Sequence, residues 1–150
     1  MMDLTPAQKI FSALTGLWAL DREIPGQGTL TGTVKFTQQE DGRLLCEENG
    51  KLRLDAASAP INSFRSYIYE SLPDRIVIYY NDPARSGEVL HELVFSEEEQ
   101  ALVSRHCHVC TPDTYALHFR YAADGQITMD YQVRGPHKNY DIHSVLKPQP

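Results

Sequence analysis

The sequence has little of what a membrane-spanning helix, a disulfide-stapled fold or a nucleic-acid partner requires. Its longest apolar runs are only a few residues, far short of the roughly 20 that cross a bilayer as a helix. The opening Met1-Met2-Asp3-Leu4-Thr5-Pro6 lacks a basic region followed by an apolar stretch, so no secretory leader is expected there. Cysteine is scarce and odd in number, with Cys46, Cys107 and Cys110 alone. That usage points to a reducing, cytoplasmic setting rather than a disulfide framework. Cations are outnumbered, 14 Lys and Arg against 20 Asp and Glu, for a net charge of −6. No nucleic acid and no membrane are therefore expected as partners, although a local Arg or Lys cluster can still hold a small anion.

What is present fits one domain over residues 1–150. The chain is 41% hydrophobic and 23% charged, ordinary for a folded domain with a substantial core, and no repeat or linker divides it. Thr5 is a good N-cap, Pro6 suits the first helical position and Gln8 completes a capping box. Ile10, Phe11 and Leu14 follow at helical spacing and Gly16 supplies a stop. A short helix over about residues 5–15 is expected to cover one end of the core.

From Leu17 the pattern changes to period two, and turn signals recur roughly every ten residues. Pro25-Gly26, Asp41-Gly42, Pro73-Asp74, Asp82-Pro83, Asp124-Gly125 and Gly135-Pro136 are the clearest. Between the turns lie about ten segments rich in Val, Ile, Tyr, Phe and Thr, residues that suit a pleated surface. Short connections favour antiparallel neighbours, and a meander this long must curl or close to remove its edges. The expected fold is all-β: an antiparallel, up-and-down, lipocalin-like barrel over about residues 17–147, with an open sandwich as the rival.

Alternation assigns faces. Ile127, Met129, Tyr131 and Val133 face inward, as do Tyr115, Leu117 and Phe119. Val89, Leu93 and Phe95 are read as inward, and His91 shares their parity. Between Asn62 and Glu70 the parity is ambiguous: Arg65, Tyr67 and Tyr69 form one face, Phe64, Ser66, Ile68 and Glu70 the other.

The run His106-Cys107-His108-Val109-Cys110 is the densest in reactive side chains. Zinc accepts such ligands, but there is one C-x-x-C rather than two, and residues three apart on a strand point to opposite faces. No metal site is assigned on this run. A redox C-x-x-C normally sits at a helix N-terminus, and none is expected here.

Several spaced features together resemble a known family. Gly16-Leu17-Trp18 resembles the Gly-x-Trp opening strand of lipocalin-type barrels. Cys46-x-Glu48-x-Gly50, Arg65-x-Tyr67, His108-x-Cys110-x-x-Asp113-x-Tyr115 and Gly135-Pro136-x-Lys138-x-Tyr140 extend the likeness from about Leu14 to Leu146. The whole looks like a family of small bacterial proteins of unknown function with a calycin-like barrel. The resemblance implies the fold more firmly than any activity. It also implies that Trp18 closes one barrel end against a basic side chain such as Arg134 or Lys147.

Residues read as lining the interior are Glu48, Arg65, Tyr67, His91, His108, Cys110, Tyr115, Lys138 and Tyr140. Buried charges need partners, so Glu48 is expected to pair with Arg65 and His108 with Asp113. A barrel built only for stability would fill itself with aliphatics, so a polar interior points to a small, partly polar or anionic guest. A catalytic alternative uses His108 oriented by Asp113 as base, with Tyr115 or Cys110 as acid or nucleophile. No nucleophile elbow, phosphate loop or H-E-x-x-H supports it. A haem or metal barrel held by His91 or His108 is the third alternative. No cofactor is specified by the sequence.

Overall fold

A computed structural model describes residues 3–55, 59–105 and 113–150. Helix α1 (Pro6–Ala13) is followed by ten strands: β1 (Gly16–Ile24), β2 (Gly28–Gln38), β3 (Leu44–Leu54), β4 (Ile61–Leu72), β5 (Arg75–Tyr80), β6 (Val89–Ser96), β7 (Ala101–Ser104), β8 (Thr114–Tyr121), β9 (Ile127–Arg134) and β10 (Asn139–Pro148). Each strand pairs antiparallel with the next, and β10 returns to β1, closing the barrel. The all-β, up-and-down expectation is met.

The helix forms as its ends dictate. The Thr5 hydroxyl accepts from the Gln8 amide while the Gln8 side chain reaches back to the Thr5 amide, with Pro6 in the first turn, so two orphan donors are satisfied at once. Ala7, Ile10 and Leu14 are buried under it, against the ends of β4, β5 and β6. The Trp18 indole N–H donates to the Leu14 carbonyl at 2.8 Å, tying β1 to the chain leaving the helix. This corrects the expected basic partner: Arg134 instead engages Asp141 at the other end of the barrel, because an indole N–H that lies beside an orphan helix carbonyl satisfies both groups without a charge.

The half of the barrel beneath α1 is solid. Phe36 and Tyr69 meet edge to face with centroids 5.1 Å apart, and Ile76, Leu93, Leu102, Phe119 and Ile127 are fully buried around them. The opposite end carries the β1–β2, β5–β6 and β9–β10 connections. There even residues on the inner face meet solvent, with Ile61 50% and Tyr115 39% exposed. That end is the mouth.

Alternation is broken once. The register shifts between Ile78 and Tyr79, so that Ile78 lies opposite His91 but Tyr79 opposite Val89. One extra residue reverses the parity of what precedes it, and Val89 is 53% exposed instead of inward as its spacing suggests. In β4 the ambiguity resolves: Tyr69, Tyr67 and Arg65 lie opposite Leu44, Cys46 and Glu48 of β3, and so share the inner face.

β2 and β3 approach each other most closely at Gly32 and Gly50, which are register partners. A Cβ on Gly32 would sit 1.9 Å from the Asn49 carbonyl oxygen and 2.5 Å from the Gly50 Cα. Both obstacles are backbone and cannot step aside, the usual reason for glycine where a barrel strand bends sharply. Gly32→Ala is therefore expected to lower stability by about 2–3 kcal/mol, the scale of an overpacked core, with the urea midpoint as the readout. The outward Thr33→Ala should change it by less than about 1 kcal/mol.

Candidate functional site

Above the apolar half lies a layer of polar side chains, each delivered by an inner-face position. β1 alternates Trp18, Leu20, Arg22 inward, and the Arg22 guanidinium enters the barrel with its side chain 17% exposed. It does not meet Arg65's neighbour by chance of sequence distance: Arg22 and Glu48 sit on β1 and β3, with β2 between. Their partners on β2 are Leu30 and Val34, and the inner-face residue between those two is Gly32. The guanidinium reaches across β2 to Glu48, Nη1 to Oε1 at 3.1 Å and Nη2 to Oε2 at 3.4 Å. On its other side, Nε donates to the Ser144 hydroxyl of β10 at 2.7 Å.

Burial opposes the Arg22 charge, but the Glu48 carboxylate outweighs it and holds the guanidinium above its ordinary value. The expected Glu48–Arg65 pair is thus corrected. Arg65 lies opposite Glu48 in register, yet its side chain is exposed at the mouth and donates to the Phe64 carbonyl at 2.9 Å. A buried carboxylate gains more from a partner that shares its low-dielectric surroundings than from one that can stay hydrated.

His91 and Tyr131 complete the layer. His91 is buried, and its Nε2 lies 3.0 Å from the Tyr131 hydroxyl with ring centroids 5.4 Å apart. Burial depresses the imidazole to about 4, so the ring is neutral at physiological pH. Burial, with the nearby Glu48 charge, pushes the Tyr67 hydroxyl up to about 12, and burial likewise raises Tyr131 and the Cys46 thiol beneath them. Burial thus holds these groups in their protonated forms. Tyr67 and Tyr80 face each other across β4 and β5 with ring centroids 6.5 Å apart.

The rim holds three more of the expected residues. Tyr115 and Tyr140 both lie opposite Val133 of β9 and so share its inner face. Lys138 Nζ, fully exposed, donates to the Tyr115 hydroxyl at 2.8 Å. Asp113 stands against Gly135, where an added Cβ would fall 2.0 Å from Asp113 Oδ1. His108 and Cys110 of the expected lining, with His106 and Cys107, lie outside the described residues, and with them the His108–Asp113 pairing. Among the described residues no group of three or more His, Cys, Asp and Glu is placed to hold a metal ion, and no helix is long and apolar enough to cross a membrane.

Arg22, Ser144, Tyr80 and Tyr131 were missed as site residues. For Arg22 a signal existed, since Trp18-x-Leu20-x-Arg22 puts a charge on an otherwise apolar face.

A family model described as a family of unknown function, DUF6314, matches residues 14–148. The chain belongs to this family. No curated protein matches it. Among solved structures, Rv2717c from M. tuberculosis aligns with a TM-score of 0.60 at 18% identity, covering 99% of this chain and 100% of that one. The S-type phycobiliprotein lyase CPES from Guillardia theta aligns with a TM-score of 0.59 at 10% identity, covering 95% of this chain and 92% of that one. At such identities the likeness establishes the barrel fold that the DUF6314 chain shares with them.

Two tests address the polar layer. Glu48→Ala strands a buried guanidinium and should cost about 3–5 kcal/mol, whereas Arg22→Met with Glu48→Leu should recover most of that loss. A double-mutant cycle from urea unfolding measures the coupling. His91 gives a pH signature: the unfolded imidazole takes up a proton near 6.5 while the folded one resists until about 4. Stability should therefore fall as pH drops from about 6.5 toward 4, by about 2–3 kcal/mol at pH 4.5. In His91→Gln that share of the pH dependence should vanish; an unchanged slope would place the titration elsewhere.

Proposed function

We propose that this DUF6314 protein is a small-molecule-binding barrel whose guest enters at the mouth and rests on the polar layer. The observation that carries the reading is that the layer is only half satisfied from within. Arg22, Glu48, Ser144 and Tyr131 are bonded to one another or to His91. The Tyr67 and Tyr80 hydroxyls and the second His91 nitrogen, Nδ1, have no hydrogen-bond partner among the described residues. Polar groups left open on the inner face of a barrel cost free energy unless water or a ligand meets them. Ten strands also give a wider barrel than the eight whose interior side chains alone can fill.

The rim supports a partly polar or anionic guest. Arg65 has no carboxylate partner among the described residues, and the exposed Lys138 donates to the Tyr115 hydroxyl. A metal held by His91 is less well supported, because among the described residues no group of three or more His, Cys, Asp and Glu is placed to hold one. The catalytic alternative rests on His108 and Cys110, which lie outside the described residues.

The binding reading is tested by NMR with the anionic aromatic probe 1-anilinonaphthalene-8-sulfonate at neutral pH. Resonances of Tyr67, Tyr80 and His91 should shift saturably, and Tyr67→Phe should weaken binding about fivefold, the worth of one hydrogen bond. A second depression of about 610 Å³ lies over β2–β4 beside Phe64, Lys51 and Asn62. Shifts confined to that outer surface would discard the interior site.

A further inference from the structure

We infer that the guest is a compact, planar, hydrogen-bonding aromatic anion, and that long-chain lipids are excluded. This deepens the binding reading above and rests on it.

Depth is the first ground. Directly below the polar layer, Leu20, Val34, Cys46, Ile78, Leu117 and Phe119 are each at most 2% exposed. The lower half of the barrel is already packed to its floor, so a guest has only the upper part. An acyl chain needs a long apolar tunnel. Here its tail would end on the Arg22–Glu48 pair, adding desolvation of two charges and returning no hydrogen bond.

The walls are the second ground. Tyr67 with Tyr80, and His91 with Tyr131, form two inner-face ring pairs tilted by 45° and 40° within each pair. Aromatic faces reward a flat ring, which gains offset or edge contacts at little entropic cost. Between these rings stand the open groups: two phenol hydroxyls and His91 Nδ1, a donor in one tautomer and an acceptor in the other. With Tyr67 held protonated and His91 held neutral, they recognise hydroxyl, carbonyl or ring-nitrogen groups rather than a second charge.

Charge is the third ground. Among the described residues the Arg22–Glu48 pair inside the cup is closed on itself, whereas Arg65, on the inner face at the mouth, donates to a backbone carbonyl. A flat guest lying on the polar layer directs its anionic group outward to that guanidinium, which suits planar carboxylates.

Fluorescence titrations of the full chain with two probes test this, 6-hydroxy-2-naphthoate for the compact class and cis-parinarate for long-chain acids. The hydroxynaphthoate should bind saturably. Arg65→Ala should weaken it about tenfold and Arg65→Lys by less. Arg65 is exposed, so its loss leaves folding intact, which cooperative urea unfolding verifies. Parinarate should show no saturable binding. Saturable parinarate binding overturns the class while leaving the barrel a binding protein. Equal hydroxynaphthoate affinity in wild type and Arg65→Ala overturns the anion contact. Failure of both probes, together with no interior shifts from anilinonaphthalene sulfonate, overturns the binding reading as well.

Discussion

The pairing of β1 with β10, from Trp18 opposite Pro148 to Glu23 opposite His143, leaves the sheet without an edge. Everything in the interior depends on that closure. It brings Ser144 of β10 beside Arg22 of β1, residues more than a hundred positions apart, so that the guanidinium acquires a neutral acceptor on one side and a carboxylate on the other. An open sheet would leave the same arginine facing water, where its pairing with Glu48 would be worth little. Closure also supplies the low-dielectric surroundings that keep His91 neutral and Tyr67 protonated.

Polarity inside the barrel is graded along its axis, and the gradient follows from where the helix docks. α1 and Trp18 seal one end, and the inward residues nearest them are aliphatic or aromatic. Midway the inner face turns polar, and at the mouth it becomes charged and wet. Under the proposed binding role, such an arrangement separates the tasks of folding and binding. The packed half carries the stability and the upper half is free to hold groups that a purely structural core would replace with leucine or valine. The His91 and Glu48 positions sit at the boundary, where replacement affects both tasks at once.

Gly32 is fixed by backbone packing, because the close approach of β3 requires a residue without a Cβ there.

Much of this was readable in the residues themselves. The capping box at Thr5 and Gln8 placed the helix, the turn dipeptides spaced the strands, and strict alternation put Tyr131, Tyr115 and His91 on the inner face, because period-two patterning and local capping are properties of neighbouring residues. Glu48 was legible only through the family resemblance, and Tyr67 lay on a strand whose parity alternation left ambiguous. Where one extra residue entered a strand, at the Ile78–Tyr79 register shift, the pattern misplaced Val89. The choice of partners lay beyond the sequence altogether. Glu48 has Arg65 directly opposite on the neighbouring strand, yet it bonds Arg22, two strands away. Only the closed barrel decides that: long side chains reach across a curved interior, and a buried carboxylate is stabilised by the cation buried with it, not by the one that the adjacent strand leaves in water.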